Sequence, residues 1–241
     1  GWRPSEHTCV RPAFYDAREL TGFQTIKRFD HLPSGLAASG NRRHRSGRRK
    51  PLVVLHFNDV YEIGEGKQEP VGGAARFQGA LKSHASEKPL VLFSGDALSP
   101  SLLSQATKGG HMIECLNQMG IAVACLGNHD LDFGEDNLDN MVEDSSFPWL
   151  CSNCWNTQTN EPLGDCLETV VLTHCDYKIG VIGLIEKDWL VCCSTLDQDK
   201  IQYIDFVEAG RALARKLKEA EEVDYVIALT HFREPNDERL A

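Results

Sequence analysis

Apolar residues gather in this chain in short, β-branched runs, each closed by a polar cluster. Leu52 to Phe57 runs into Asn58-Asp59-Val60-Tyr61, and Leu90 to Phe93 ends in Ser94-Gly95-Asp96. Ile121 to Leu126 ends in Gly127-Asn128-His129-Asp130-Leu131-Asp132-Phe133-Gly134, and Asp224 to Leu229 ends in Thr230-His231. Such runs, bounded by Gly, Asn and Asp, predict buried strands. Phe147 to Asn153 reads as a further short strand. Glu168 to Thr173 and Ile179 to Ile185 read as a pair joined by a turn at His174 to Lys178. Between the strands the period changes. Helices are predicted over Ala74 to Ser83, within Ser101 to Met119, and over Glu135 to Glu143. Asp205 to Glu222 is helical too, with Phe206, Ala209, Leu213 and Leu217 on one face. Strands alternating with helices predict an α/β layered fold with a partly parallel sheet. There is no internal repeat and no sign of a second core.

The first fifty residues behave differently. Pro4, Pro12 and Pro33 punctuate them, and only Phe14 to Phe29 has the makings of a short amphipathic helix. Ser34 to Lys50 turns to Gly, Ser and Arg, the composition of a solvated, disordered linker. A nuclear-localisation or anion-binding arm is the sharper alternative to that ordinary reading, and an untrimmed targeting segment is a third. The expected organisation is a basic, disordered extension over 1–50 and one ordered domain over 51–241.

Composition sharpens this only in part. Of 241 residues, 41% are hydrophobic and 25% charged, enough for one sizeable core. The net charge of −10 is unevenly spread: residues 1–51 hold 11 Lys/Arg against 4 Asp/Glu, so the acid excess lies in the body. That argues against a nucleic-acid-binding face there. No apolar run approaches the roughly 18 to 20 residues of a membrane span, and no secretory pattern opens the chain, which begins with Gly1. Nine cysteines, an odd number, in a chain this long suggest reduced thiols in a cytoplasmic protein rather than a disulfide framework. Cys151-x-x-Cys154 reads as ordinary thiols, since no second pair stands at zinc-finger spacing.

The chemistry gathers at the strand ends. If the four strands are neighbours, Asp59, Asp96, Asn128, His129 and His231 converge on one edge, where open α/β sheets place their sites. Mixed oxygen and nitrogen ligands suit divalent zinc, manganese, iron or magnesium. A carboxylate shared by two ions about 3.5–4 Å apart is the arrangement used for phosphoryl displacement. Glycines beside Asp96 and Asn128 allow the sharp turns required.

Leu55-His56-Phe57-Asn58-Asp59-Val60-Tyr61, Ser94-Gly95-Asp96, Gly127-Asn128-His129-Asp130 and Leu229-Thr230-His231 together resemble the ordered motifs of the calcineurin-like metallophosphoesterases. Gly72-Gly73-Ala74-Ala75-Arg76 and Asp132-Phe133-Gly134 narrow the likeness to the 5′-nucleotidase family. The resemblance covers residues 51 to 241. It implies a layered β-sandwich flanked by helices, incomplete at the C-terminus, that binds two divalent ions and hydrolyses a small phosphate ester. Carried over by residue, it makes Asp96 the bridging ligand and Asp59 a ligand of the first ion. Asn128 and His231 become ligands of the second. His129 becomes the catalytic histidine, held by Asp132. Nucleotide monophosphates are the substrates the family implies.

Two departures stand out. Tyr61 occupies the position where the family carries a histidine ligand, as in members assigned to sugar-phosphoglycerate phosphatases, and as a phenol it reads better as a packing residue. The family's Gly-His-x-His-type motif and its separate C-terminal domain would lie beyond Ala241, which leaves open a truncated, inactive, non-enzymatic fragment. His56 reads as a hydrogen-bonded core residue, His111 and His174 as surface or turn residues, and Asn236-Asp237 as a helix cap. Arg233 is a candidate for approaching an anionic substrate.

Overall fold

The computed structural model describes residues 27–29, 52–68 and 71–241. The rest of the basic extension, including most of Phe14 to Phe29 and all of Ser34 to Lys50, lies outside these. The strands are β1 Lys27–Phe29, β2 Val54–Phe57, β3 Leu90–Phe93, β4 Val123–Cys125, β5 Trp149–Leu150 and β6 Cys154–Asn156. They continue with β7 Glu161–Pro162, β8 Thr169–His174, β9 Tyr177–Ile185, β10 Ile201–Tyr203 and β11 Tyr225–His231. The helices are α1 Ala74–Ser83, α2 Leu102–Thr107, α3 Gly110–Leu116, α4 Glu135–Glu143, α5 Lys187–Cys192, α6 Phe206–Glu219 and α7 Glu234–Leu240.

One sheet has the order β1-β2-β3-β4-β5; β2 to β5 run parallel and β1 pairs antiparallel to β2. A second has the order β11-β9-β8, with β11 parallel and β8 antiparallel to β9. A small antiparallel sheet, β10-β6-β7, stands apart. The period-two rule of strands then sorts the side chains. Val54, Leu90, Leu92, Val123, Cys125 and Leu150 face inward and pack on Ile179, Val181 and Leu229 of the second sheet. Their neighbours Leu55, Phe57, Val91, Phe93 and Trp149 face outward into a larger core with α1, α3 and α4. Ile182 and Leu184 point out of the second sheet onto Phe206, Leu213 and Leu217 of α6. The product is a β-sandwich with helices on both outer faces.

The sheets approach closely at Gly183, where a Cβ would lie 2.5 Å from that of Leu150 and 2.8 Å from that of Cys125. Ser152 seals the contact: its N–H donates to the Gly183 carbonyl, and its hydroxyl accepts from the Gly183 N–H.

The predicted elements hold with local differences. The helix expected within Ser101 to Met119 is two, because the backbone turns left-handed at Lys108 and Gly109 (φ 55° and 92°). Only Trp149–Leu150 of the expected fourth strand joins the main sheet, and the chain then turns into β6. Asn236 and Asp237 do not cap a helix. Arg233 is the N-cap of α7, and Asp237 lies inside it, accepting from the Thr230 hydroxyl.

Candidate metal centre

Parallel strands β2, β3 and β4 all end at the same edge, so their following loops meet. Asp59 and Asp96 begin two of these loops, and both are left-handed, with φ of 57° and 63°. Asp tolerates that region better than most residues, yet the conformation costs about 1 kcal/mol and needs enforcement. Here the enforcement is visible. The Asp59 N–H donates to the Gly95 carbonyl at 3.0 Å and the Val60 N–H to the Asp96 carbonyl at 2.9 Å. Gly127 passes so close that a Cβ would lie 2.1 Å from Asp96 Oδ1, so glycine is obligatory there.

Asp130 is the hub of the loops. Its carboxylate is fully buried and accepts four backbone N–H groups, from Asp96, Ala97, Leu98 and Gly127, at 2.8–3.1 Å. Burial pushes its pKa up to about 6, with the Asp96 charge adding to the effect, while the backbone amides oppose it. The sequence motif contains Asp130 but assigns it nothing, because most of its partners lie over thirty residues upstream.

His231 arrives from the other sheet. Its Nδ1–H donates to the Ser94 carbonyl at 2.8 Å, which leaves Nε2 facing Asp96 Oδ2 at 3.3 Å and Asn128 Oδ1 at 3.1 Å. Burial alone would lower the His231 pKa, but the hydrogen bond and charge of Asp96, with the Ser94 carbonyl, push it up to about 9. For Asp96 burial likewise works against charge, and the His231 contacts and the His129 N–H at 2.8 Å outweigh it, holding the pKa below the usual carboxylate range. A histidine with one nitrogen committed to a carbonyl and the other among oxygen ligands is the usual metal-ligand arrangement. Ligand atoms of Asp59, Asp96 and His231 lie within 4.8 Å of one another, close enough to share a divalent ion. The donor set fits a hard or borderline ion.

Tyr61 is not the packing residue expected from sequence. Its hydroxyl reaches Asp59 Oδ1 at 2.6 Å and Asp96 Oδ2 at 2.9 Å, bridging carboxylates that follow two different strands. Burial, then the Asp96 and Asp59 charges, raise its pKa, so it stays a phenol. Asn58 donates to Asp59 from the other side. His129 stands at the rim, its ring 5.9 Å from that of Tyr61, with Nδ1 on Asp132 Oδ2 at 2.8 Å. That bond leaves Nε2 available. His56, as expected, is hydrogen-bonded within the sheet, to Ser94 Oγ at 2.7 Å.

The structure therefore brings together Asp59, Asp96, Asn128 and His231, with His129 on Asp132 beside them. Arg233 is not among them: its guanidinium is held by Glu186, which is buried, and by Asp188, and it covers Trp189. Trp189 in turn donates to the His231 carbonyl at 3.1 Å, and the Cys193 thiol to that of Asn128. Cys151 and Cys154 are buried free thiols, as are Cys125 and Cys166. No helix among the described residues is long and apolar enough to cross a membrane.

Comparison with known proteins places the chain. The family model described as calcineurin-like phosphoesterase matches residues 52–240. A curated relative named "Probable 5'-nucleotidase", from Treponema pallidum (strain Nichols), is 28% identical over 212 residues, covering 82% of this chain and 35% of that protein. An apyrase of Tabanus yao is 26% identical, over 87% of this chain and 40% of its own length. Among solved structures, the 5'-nucleotidase precursor of Thermus thermophilus superposes with a TM-score of 0.68 at 23% identity, covering 79% of this chain and 39% of that one. The chain thus spans well under half the length of these relatives.

Proposed function

The chain belongs to the calcineurin-like phosphoesterase family, and from that membership we propose that its strand-end cluster hydrolyses phosphate monoesters with the help of divalent ions. The observation that carries this reading is His231, with Nδ1 fixed on the Ser94 carbonyl and Nε2 between Asp96 Oδ2 and Asn128 Oδ1. Asp59, Asp96, Asn128 and His231 would hold the metal, with Asp96 shared if two ions bind. What such ions supply when bound is neutralisation of phosphate charge and activation of water as the nucleophile.

The protein's own groups do the rest. The loops are fixed by Asp130 before any ligand arrives, so little reorganisation accompanies binding. His129, with Nδ1 anchored by Asp132, keeps Nε2 for the phosphoryl oxygens or for protonating the leaving oxygen. Tyr61, a neutral donor, spaces the two carboxylates. The catalytic unit on this reading is 51–241, with 1–50 a basic extension that contributes, among the described residues, only the edge strand β1 to its main sheet. The free thiols suit a reducing compartment such as the cytoplasm. Nucleotide monophosphates are the first substrates to offer, because one relative above is named a probable 5'-nucleotidase. Tyr61 at the end of the first parallel strand keeps phosphorylated sugars as the second.

The test is metal content of the purified chain together with p-nitrophenyl phosphate hydrolysis in added Mn²⁺ or Zn²⁺. Bound metal with turnover abolished by Asp96→Ala and His129→Ala is expected. A folded chain that binds no metal and turns over nothing would refute the proposal.

A further inference from the structure

Asn128 follows β4 and His231 ends β11, yet one short stretch of chain touches the backbone of both. It runs from Trp189 in α5 to Thr195 and belongs to neither sheet. The Trp189 indole N–H donates to the His231 carbonyl at 3.1 Å. The Cys193 thiol lies 3.4 Å from the Asn128 carbonyl oxygen and 3.2 Å from that of Trp189. The Thr195 hydroxyl donates to the Leu131 carbonyl at 2.7 Å, in the turn that Asn128 opens. Among the described residues β11 is an edge strand, paired with β9 alone. The backbone that carries the imidazole is therefore held by a side chain of α5 as well as by strand pairing.

A buried charge fixes the indole in turn. Glu186 is the N-cap residue of α5 and is 2% exposed, and a carboxylate so placed is strongly destabilising unless its oxygens are bonded. The Arg233 backbone N–H donates to it at 3.3 Å and Arg233 Nε at 2.5 Å, and the Asn236 amide is a third donor. The guanidinium held in this way lies 5.3 Å from the Trp189 ring centroid, a cation–π contact. On its other neighbour, the Trp189 ring stands edge to face with the His231 imidazole at 6.3 Å. Contact thus passes from Glu186 to Arg233, Trp189 and His231. A buried ion pair adds little net stability over apolar residues of the same size; what this one does is orient the indole.

We propose that Trp189 is a positioning residue of the metal centre: its N–H sets where the His231 imidazole stands relative to Asn128 and Asp96, and Arg233 acts through it. The inference rests on the hydrolase reading above and adds the residues that align its ligands. An ion held by donors from two sheets is bound tightly only while their spacing is kept. Here that spacing is 3.1 Å from His231 Nε2 to Asn128 Oδ1 and 3.3 Å to Asp96 Oδ2. Arg233, with its charge committed to Glu186 and Asp188, orients the indole rather than the substrate.

Trp189→Phe tests this, since an aromatic ring stays beneath Arg233 while the N–H is lost. Calorimetric titration of the full chain with Mn²⁺ is expected to show about fivefold weaker binding, the size of one hydrogen bond. Far-ultraviolet circular dichroism stays unchanged, and the electron paramagnetic resonance spectrum of the bound Mn²⁺ changes as its ligands shift. With p-nitrophenyl phosphate at saturating Mn²⁺, kcat falls and KM holds. Arg233→Gln acts in the same direction, by about threefold in Mn²⁺ affinity. A raised KM with unchanged Mn²⁺ affinity in Arg233→Gln would instead place Arg233 on the substrate and overturn its part in the proposal. Mn²⁺ affinity within about twofold of the unaltered chain in a folded Trp189→Phe overturns the positioning role. That holds whatever the melting temperature does, because a purely structural hydrogen bond moves the melting temperature alone. If Trp189→Phe does not fold, Arg233→Gln decides by the same readout. A folded, unaltered chain that binds no Mn²⁺ overturns the hydrolase reading and this one together, whereas bound Mn²⁺ that is insensitive to both variants overturns this one alone.

Discussion

The inner and outer halves of the candidate centre are built by different means. Asp96, Asn128 and His231 form the inner half, where Asp96 is 2% and His231 8% exposed, and backbone groups supply much of what fixes them. Asp59, Tyr61, His129 and Asp132 form the outer half, which is half-buried and linked by side chains bonding side chains. Backbone contacts depend on the fold, so the inner half is as rigid as the sandwich. Side-chain contacts depend on residue identity, so the outer half is where a substitution alters chemistry without disturbing the core. Tyr61, the residue that departs from the family pattern, sits in the outer half.

The largest expected break of this comparison is Asp130→Ala. Four buried N–H groups would lose their acceptor, and the loss is expected to reach about 3–5 kcal/mol of folding stability. Urea denaturation with circular dichroism measures it; a loss under about 1 kcal/mol would mean that the inner loops hold themselves. Asp132→Ala is the contrasting case. His129 loses its anchor, and kcat is expected to fall about 10–100-fold while stability changes by less than about 0.5 kcal/mol. Paired kinetics and melts on one preparation separate these outcomes.

The next effect is a pH dependence. In EDTA the His231 pKa is raised from 6.5 to about 9, so the folded state holds that proton more tightly than the unfolded chain. Its stabilisation is complete below pH 6.5 and is lost as pH rises through about 9. Asp130 and Asp139, both pushed up to about 6, titrate below that window. Stability is expected to decline by roughly 1–3 kcal/mol between about pH 6.5 and 9.5, and His231→Gln to flatten the decline. A wild-type profile that is already flat there would remove the Asp96–His231 pair from the inner half's support. The smallest effect belongs to Tyr61→Phe. Two carboxylates lose one neutral donor, so stability is expected to fall by about 1 kcal/mol. Mn²⁺ affinity, by calorimetry, is expected to rise severalfold because the carboxylate charge is less satisfied. Weaker Mn²⁺ binding would make the phenol a contributor to the ion's site.

The inner half and the strands around it were legible from sequence because each apolar run stops abruptly at polar residues, and parallel strands end on one edge by geometry. Ala74–Ser83 was legible to the residue, since Gly72-Gly73 marks its start. What sequence did not yield depends on distance along the chain. Tyr61 looks like core material until Asp96, 35 residues on, is seen to accept from it. Asp130 reads as one more turn acid until the loop after β3 folds onto it. The small sheet of β6, β7 and β10 pairs strands too short to announce themselves by alternation. Arg233 carries the charge for an anion but commits it to Glu186 and Asp188, and no spacing in the sequence shows that pairing.

The inner half also straddles a seam. Asp96 and Asn128 hang from one sheet and His231 from the other, meeting at 3.1–3.3 Å. One residue of strand advances about 3.3 Å, so a slip of a single step between the sheets would carry the imidazole out of register with its partners. The centre is thus a gauge of sheet alignment: a loosened sandwich that keeps its strands and most of its core would already have lost it, and the chemistry would fail before the fold does.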